Sequence, residues 1–321
     1  MKLILGLGVT GLSVARFFIR NNISFRIADS RQDPPMLQIS KNENLLHDFY
    51  FGDWSESLLE DISEVIISPG IAESESIVRW IRAKNISIIS DIELFGRYVK
   101  APMIGITGSN GKSTVTQLLG EMALASSLKA YICGNIGNPV MECISDDAEL
   151  YIVELSSYQL DYTNKLDLFA GVITNISPDH LDRYSSYSNY ISSKLSIYDY
   201  SMFNIINLNE PEVNGISGDN FFSIEKNESK CDFFASKKDN LYEVFHQGKV
   251  LMTSDDLLVV GKHNIENMLA SLTLGYRFGL SVNTMKEAAI EFKGLVHRLE
   301  FVSTMNQVDF YNDSKSTNAI S

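Results

Sequence analysis

Short apolar runs alternate with amphipathic stretches through the first hundred residues of the chain. The apolar runs have the length of strands, and the longer stretches between them carry apolar residues at helical spacing. The strands and helices predicted in this way are, in order, residues 3–5, 11–21, 25–28, 65–67, 77–84 and 86–89. Short strands that alternate with helices predict βαβ units and a parallel sheet.

A second alternating unit begins near Pro102. The pattern predicts a strand at residues 103–106, a glycine turn, and a helix from Lys112 to about Ala125. Residues 220–260 have the turn-rich pattern of β-structure. The remaining predicted strands and helices are residues 151–155, 171–174, 187–198, 264–278, 284–292, 300–303 and 308–311. The fold class is therefore α/β, with a Rossmann-like first part and a mostly parallel second sheet.

The composition of the chain excludes several classes of function. The chain has 321 residues, 45% of them hydrophobic and 21% charged, and a formal net charge of −13. These values indicate a globular protein, and the acidic balance argues against binding to nucleic acid or to an anionic membrane. Three cysteines without a C-x-x-C pair are typical of reduced thiols in the cytoplasm. Because glycines interrupt the first apolar run, we expect a strand there and not a signal peptide.

The strongest chemical motif is GITGSNGKST at residues 105–114. A strand leads into a glycine turn, and a lysine and a hydroxyl residue then begin a helix. Backbone N–H groups of such a turn converge on phosphate, Lys112 would neutralise the β- and γ-phosphates of a nucleotide, and Ser113 would hold Mg²⁺. Ile106 stands where the usual spacing has its first glycine. The alternative is an ordinary glycine turn before a helix.

A second glycine motif lies at the N-terminus, where Gly6, Gly8 and Gly11 have G-x-G-x-x-G spacing and Asp29 ends the next strand. Taken alone, this pattern is typical of dinucleotide binding and supports a nicotinamide-dependent oxidoreductase as the alternative function. The pattern is short and common. A glycine turn at a helix N-terminus also accepts other diphosphates, including that of a UDP-sugar.

Polar residues at predicted strand ends are candidate ligands for a metal ion. Glu154 ends a buried strand, Asp179 and His180 follow another, and Lys194 lies on the next helix. Each has a structural alternative as a helix cap, a loop residue or a solvated side chain. Together, after a phosphate turn, they predict a Mg²⁺ site. Asn264 and Asn267 begin a later helix and could cap it or contact an adenine edge.

Read together, these segments resemble the Mur ligases of peptidoglycan synthesis, which also lack the first glycine of the phosphate turn. The likeness is strongest to the branch that joins D-glutamate to UDP-N-acetylmuramoyl-L-alanine, and it makes the oxidoreductase the weaker alternative. The matching motifs are GITGSNGKST, GNIG at residues 134–137, VELSSYQL at 153–160, PDHLDRY at 178–184, GKHNIEN at 261–267, GLVHRLE at 294–300 and NDSKSTN at 312–318, with DIELF at 91–95 and the triplet 29–31.

The resemblance implies an ATP-dependent amide ligase that works through an acyl phosphate. It implies that Lys112 contacts the γ-phosphate, that Ser113 and Glu154 bind one Mg²⁺ and His180 a second, and that Lys194 is a carbamylated metal ligand. The residues implied to hold ATP are Gly108, Asn110, Gly111, Lys112, Ser113, Thr114, Asn264, Arg298 and Asp313. The residues implied to line a uridine diphosphate pocket are Thr10, Asp29, Arg31, Ser68 and Gly70. Those implied to contact the muramoyl part of the substrate are Asn135, Ser156 and Gln159, and those implied to lie near the amino-acid end are Lys315 and Thr317.

The resemblance also implies the domain organisation. We expect a UDP-substrate-binding domain at residues 1–97, a central ATP-binding domain at 98–296, and the beginning of a third domain at 297–321. Since the family's third domain completes the ATP site and binds D-glutamate, we expect no turnover from this chain alone. The alternative function is a module that binds the UDP substrate without turnover. We expect a cytoplasmic monomer with no nucleic-acid or membrane partner.

Overall fold

The computed structural model describes residues 1–225, 228–298, 300–305 and 308–315. The chain divides into two compact units. The first unit comprises Met1–Lys100, Cys133–Asp146 and Leu155–Asp167, and the second comprises Ala101–Ile132, Asp147–Glu154 and Leu168–Ser321. Two later segments of the chain thus return to the first unit. The domain boundaries expected from the sequence stay a prediction.

The helices and strands alternate in both units. In chain order they are β1 (Lys2–Leu5), α1 (Val9–Arg20), β2 (Phe25–Asp29), α2 (Leu37–Asn42), β3 (Phe49–Phe51), β4 (Glu64–Ile67), α3 (Ser76–Ala83), β5 (Ser87–Ile89), α4 (Asp91–Gly96), β6 (Met103–Thr107), α5 (Lys112–Ala125), β7 (Ala130–Gly134), β8 (Leu150–Glu154), α6 (Ser157–Asp161), β9 (Leu168–Ile173), α7 (Tyr187–Leu195), β10 (Ser201–Asn207), β11 (Asn220–Ile224), β12 (Phe233–Lys238), β13 (Leu241–His246), β14 (Lys249–Thr253), α8 (Lys262–Phe278), α9 (Val282–Glu291), β15 (Glu300–Met305) and β16 (Val308–Asn312).

The first unit contains a five-stranded sheet in the order β3-β2-β1-β4-β5. All four neighbouring pairs are parallel, which confirms the parallel sheet predicted from the alternating pattern. Leu3, Val65 and Ile67 of the central strands are buried against Ile77 and Ile81 of α3. Helices on the faces of a parallel sheet explain why its strands are continuous apolar runs.

The second unit contains a nine-stranded sheet in the order β14-β13-β12-β11-β10-β9-β6-β8-β7. Strands β12 to β14 form an antiparallel meander at one edge, whereas the pairs from β8 to β12 in this order are parallel. Helices α5 and α8 pack together over this sheet, with Leu119, Leu269 and Leu272 fully buried in the shared core. The α/β fold class is thereby confirmed.

The loops that carry the predicted chemistry lie at one edge of this second sheet. Strand β6 lies between β8 and β9 and is parallel to both. The carboxyl ends of parallel neighbours meet at the same edge, where ligands of α/β sheets bind. At this edge lie the turn that follows Thr107, the residue Glu154 that ends β8, and the loop that follows Ile173. Over the described residues, no helix combines the length and apolar character needed to span a membrane.

Candidate phosphate and nucleotide sites

The turn between β6 and α5 is tied to the loop that follows β9. The N–H of Ser109 donates to the carbonyl oxygen of Asn175 at 2.8 Å, and the N–H of Asn110 donates to Asn175 Oδ1 at 2.9 Å. The hydroxyl of Thr174 donates to the carbonyl oxygen of Asn110 at 2.6 Å. These bonds fix the conformation of the turn, and a preorganised turn loses less entropy when it binds a ligand.

Two glycines of this turn cannot be replaced without a clash. Gly108 has φ +149° and Gly111 has φ +82°, values that residues with a Cβ rarely adopt. A Cβ on Gly108 would overlap Thr174 Oγ1, and one on Gly111 would overlap Asn267 Oδ1. Both glycines therefore allow the close packing of this loop against its neighbours.

Lys112 begins α5 and folds back over the turn. Its Nζ donates to the carbonyl oxygens of Gly108 at 2.8 Å and Ser109 at 3.0 Å. Burial lowers the pKa of Lys112, the nearby Glu154 carboxylate opposes that change, and the Arg298 guanidinium adds to it. A partly desolvated ammonium beside N–H groups and a helix N-terminus is suited to an anionic ligand such as phosphate.

Ser113 and Glu154 provide oxygen donors at this edge of the sheet. Ser113 is buried in the first turn of α5, and Glu154 is 2% exposed at the end of β8, in register with Ile106 of β6. Hydroxyl and carboxylate oxygens are the donors that Mg²⁺ prefers, so these two residues fit that ion. His180 is exposed and has φ +54°, and its Nε2 lies 3.8 Å from Oδ2 of Asp179. Within the described ranges, no three His, Cys, Asp or Glu side chains converge as a metal cluster.

Lys194 is a buried lysine beside the same turn. Its side chain is among the fully buried ones, its Nζ donates to the carbonyl oxygen of Gly108 at 2.9 Å, and the Tyr190 ring centre lies 4.7 Å away. The structure thus brings Lys112 and Lys194 to one carbonyl group. A buried lysine is costly unless it is partnered. Among the lysines that the structure describes, Lys194 alone is buried.

A cavity of about 840 Å³ adjoins the phosphate turn, within the range usual for cofactor and nucleotide sites. The residues expected at ATP that line it are Asn110, Gly111, Thr114, Asn264, Arg298 and Asp313. Leu258, Val259 and Val296 give it an apolar wall. The Nε of Arg298 is buried and has no hydrogen-bond partner within the described part of the chain, as expected for a donor that a ligand would satisfy.

Three further predicted residues have less direct support. Asn264 Nδ2 donates to the carbonyl oxygen of Val260 at 2.7 Å, so this amide closes its loop as well as facing the cavity. Lys315 is exposed, and its backbone N–H donates to the carbonyl oxygen of His297 at 3.1 Å. Thr317 lies outside the described residues.

The first unit has its own cavity, of about 530 Å³, at the turn between β1 and α1. All five residues expected at the uridine diphosphate line it, namely Thr10, Asp29, Arg31, Ser68 and Gly70. A Cβ on Gly8 would meet no protein atom within 4 Å, whereas one on Gly11 would overlap the carbonyl oxygen of Gly6. Gly11 is therefore needed for close packing, whereas Gly8 leaves open space at the N-terminus of α1.

Asp29 organises this cavity. Its Oδ2 accepts from the Leu7 N–H at 2.7 Å and from Arg31 Nη2 at 2.6 Å, and its Oδ1 accepts from the Arg31 N–H at 3.0 Å and from Nε at 2.8 Å. Burial acts to raise the pKa of Asp29, but the Arg31 guanidinium and the Leu7 N–H outweigh it and keep this pKa below its usual value. The carboxylate is thus ionised and holds Arg31 at the cavity.

The remaining predicted substrate residues belong to the two segments that return to the first unit. Asn135 is exposed between Gly134 and Gly137, which have φ +109° and +74°. Ser156 caps α6 in a reciprocal arrangement with Gln159. Gln159 is buried, and its Nε2 donates to Asp91 Oδ1 at 3.2 Å.

Sequence reasoning did not assign the supporting residues of these sites. The sequence pattern places Thr174 at the end of a predicted strand, with Asn175 directly after it, and Asp91 at the start of the DIELF motif, without assigning any of the three to a site. The polar pair at the end of a buried strand was a usable signal for the first two. Nothing in the sequence indicated that Asp91 contacts Gln159, because a carboxylate in the first turn of a helix ordinarily interacts with the helix dipole.

Both units of the chain match domains of a known enzyme family. Residues 106–275 match the Mur ligase middle domain, and residues 1–90 match the N-terminal domain of Mur ligases of the MurD-like type. The chain is 38% identical over 319 residues to UDP-N-acetylmuramoylalanine--D-glutamate ligase of Coxiella burnetii, covering 99% of this chain and 72% of that protein. It is 39% identical over 319 residues to the enzyme of that name from Marinobacter nauticus, covering 98% and 72%.

Solved structures agree on the fold. The UDP-N-acetylmuramate-alanine ligase of Thermotoga maritima superposes with a TM-score of 0.60 at 19% identity, covering 97% of this chain and 72% of that one. A murein peptide ligase of Psychrobacter arcticus gives a TM-score of 0.59 at 15% identity, covering 97% and 72%. With both domain matches and relatives above one third identity, the chain belongs to the Mur ligase family of ATP-dependent enzymes that form carbon–nitrogen bonds.

Proposed function

We propose that this chain serves the ATP-dependent ligation of D-glutamate to UDP-N-acetylmuramoyl-L-alanine, a step in the synthesis of peptidoglycan precursors. The observation that carries the proposal is the first-unit cavity, which is lined by all five residues expected at the uridine diphosphate. The named activity of the relatives from Coxiella and Marinobacter supports the choice of substrates. We also propose that the protein works as a cytoplasmic monomer.

The second-unit site is suited to activating a carboxylate with ATP. In the proposed reaction, the alanyl carboxylate of the UDP substrate attacks the γ-phosphorus of ATP, and the bond to the β-phosphate oxygen breaks to release ADP. The amine of D-glutamate then attacks the resulting acyl phosphate, loses a proton and displaces inorganic phosphate. Phosphoryl transfer needs charge neutralisation and alignment. The N–H groups of the tied turn and Lys112 would provide both.

Mg²⁺ would neutralise phosphate charge when bound, and Ser113 and Glu154 have the oxygen donors to hold it. We propose His180 and a carbamylated Lys194 as further ligands. Lys194 lies at Gly108 of the phosphate turn, which supports its assignment. His180 is exposed on its loop, so its role rests on the family likeness. Lys315 and Thr317 are proposed near the amino-acid end on the same basis.

The geometry of Asp29 favours a UDP ligand over a nicotinamide dinucleotide. In dinucleotide-binding folds the acidic residue after the second strand accepts the hydroxyl groups of a ribose. Here four donors from Leu7 and Arg31 already occupy both oxygens of Asp29, and a carboxylate has about four acceptor positions. The cavity therefore presents the Arg31 guanidinium, which suits an anionic or carbonyl-bearing ligand.

Calorimetric titration tests the proposal directly. We expect the chain to bind UDP-N-acetylmuramoyl-L-alanine and not NADH. Binding of NADH alone would overturn the proposal in favour of the oxidoreductase. Phosphate release from ATP in the presence of both substrates then separates a ligase from a binding module. The chain would be measured alone and with a C-terminal ligase domain supplied from a relative.

A further inference from the structure

The cavity of the first unit has an aromatic wall. Trp54 lines this cavity together with Ile71 and Glu75, and Gly8 and Asp29 line the same space. Gly8 lies at the N-terminus of α1, a position that suits a diphosphate, and Asp29 ends β2. A large aromatic ring thus shares one cavity with the groups that suit a nucleoside diphosphate.

The indole of Trp54 is held by a residue from another loop. Trp54 lies in the loop after β3, and its Nε1 donates to Glu75 Oε2 at 3.1 Å. Glu75 lies directly before α3, in the loop after β4. In the sheet, β2 and β1 lie between β3 and β4. The bond therefore ties two loops that follow non-neighbouring strands, and it restricts the orientation of the ring at the cavity.

The face of the ring is what Trp54 offers to a ligand. An indole has a single N–H donor and no acceptor, and Glu75 already receives that N–H. Trp54 is half-buried: it packs against the hydrophobic core of the unit, and its remaining surface borders the cavity. A planar ligand that covers such a face removes apolar surface from water and gains a stacking contact.

The second tryptophan shows that packing against this core does not require a place in the cavity. Trp80 lies on α3, is half-buried and packs against the same core as Trp54. It does not line the cavity of the first unit. The chain has two tryptophans. Trp80 therefore matches Trp54 in residue type, burial and core packing, and it differs in the cavity alone.

The UDP substrate has one part that suits this ring. The residues expected at the muramoyl part, Asn135, Ser156 and Gln159, do not line the cavity, so the nucleoside diphosphate is the part left to fill it. Uracil is a planar ring with two carbonyl groups on its edge. The Arg31 guanidinium lines the cavity and has N–H donors that suit carbonyl oxygens. The face of the base then remains for Trp54.

We propose that Trp54 is the stacking platform for the uracil base of the UDP substrate, and that Glu75 is a positioning residue that fixes the plane of the ring. The inference rests on the proposed function, which assigns the uridine diphosphate to this cavity. Every base has a π face, so the stack adds affinity without selecting uracil. Selection of the base is left to the groups at its edge, among them Arg31.

Calorimetry with UDP, which carries the base but no muramoyl part, tests the platform. We expect Trp54→Ala to weaken binding of UDP at least about tenfold, the usual effect of losing a stack between a base and an aromatic ring. Trp54→Phe keeps an aromatic face and should lose less than about threefold. Trp80→Phe is the matched control and should bind UDP as the wild type does.

Tryptophan fluorescence gives a readout that a merely structural role would not change. In Trp80→Phe the sole tryptophan is Trp54, and a base stacked on it should quench its emission when UDP binds. In Trp54→Phe, which retains Trp80, UDP should bind with a much smaller change in emission. Glu75→Gln keeps an acceptor for the indole N–H and should preserve the quenching, whereas Glu75→Ala should reduce both quenching and affinity.

The possible results separate this inference from the proposed function. Equal affinity for UDP in Trp54→Ala and the wild type would refute the platform. A loss confined to UDP-N-acetylmuramoyl-L-alanine, with UDP unaffected, would refute it too, because the ring would then contact the sugar. Should Trp54→Ala not fold, calorimetric binding of UDP to Trp80→Phe without quenching overturns the inference in the same way. A wild type that binds neither UDP nor the muramoyl ligand would instead remove the proposed function.

Discussion

The Nζ atom of Lys194 lies 2.9 Å from the carbonyl oxygen of Gly108, so a lysine of α7 is bonded to the phosphate turn between β6 and α5. The same carbonyl group accepts from Lys112 at 2.8 Å. Two cations at one carbonyl repel each other. Converting one of them to an anion would relieve this repulsion and add oxygen donors beside the turn.

We expect Lys194 to form a carbamate when the chain is equilibrated with bicarbonate and Mg²⁺. The neutral amine would add carbon dioxide and release a proton, and the carbamate nitrogen would keep one hydrogen for Gly108. With ¹³C-labelled bicarbonate, the wild type should show a carbamate carbon by NMR. Lys194→Arg should not show it, whereas Lys112→Met should. A signal that persists in Lys194→Arg, or none in the wild type at alkaline pH, would refute the assignment.

The sequence predicted the fold well because its apolar pattern is strong. The helix expected from Lys112 to about Ala125 is α5 within one residue, and both sheets have the expected parallel strands. The phosphate turn was also found, since its residues are contiguous. The residues that hold this turn in place were not predicted, because Thr174 lies 64 residues from Asn110 in the sequence. Likewise, no local pattern shows that the segment containing Gln159 returns to the unit of Asp91.

Gly8 offers a test of the first-unit cavity that leaves the fold intact. Its φ is −92°, which any residue can adopt, and a Cβ there would meet no protein atom within 4 Å. We expect Gly8→Ala to leave the melting temperature within about 2 °C. It should weaken binding of UDP-N-acetylmuramoyl-L-alanine at least about tenfold, since the methyl group would occupy the path of the diphosphate to the helix N-terminus.

Gly11→Ala is the contrasting variant for this cavity. A Cβ on Gly11 would overlap the carbonyl oxygen of Gly6, so overpacking should cost about 1–3 kcal/mol and lower the melting temperature. Calorimetric ligand titrations and thermal melts of both variants give the comparison. If Gly8→Ala bound the ligand as well as the wild type, the diphosphate would not lie at this turn.

Lys112→Met should separate nucleotide binding from stability. Because burial lowers the pKa of Lys112, the unfolded chain binds more protons than the folded one at pH values between the two pKa values. The wild type therefore gains stability as pH rises through that interval. We expect Lys112→Met to be more stable than the wild type at pH 7, and this advantage to shrink toward pH 10, in urea titrations.

The same variant should bind Mg²⁺-ATP at least about tenfold more weakly in calorimetry, since it loses a charge-assisted contact to phosphate. Lys129→Met is the control, because Lys129 forms an exposed salt bridge with Asp147 and should not affect nucleotide binding. Unchanged affinity in Lys112→Met would place the triphosphate elsewhere.

Asp91 gives a prediction about how the free energy of unfolding depends on pH. Its pKa rises from 3.8 to about 6 on folding because of burial, so the folded chain binds more protons than the unfolded chain between those values. The wild type therefore loses stability as pH rises through this window, in total about 3 kcal/mol at roughly 1.4 kcal/mol per pKa unit. Asp91→Asn has no such titration. We expect its unfolding free energy to exceed that of the wild type by up to about 3 kcal/mol at pH 7 and by much less at pH 4. Urea titrations at both pH values measure this difference. A variant that is less stable than the wild type at pH 7 would contradict this expectation and show that the Asp91 carboxylate stabilises the fold.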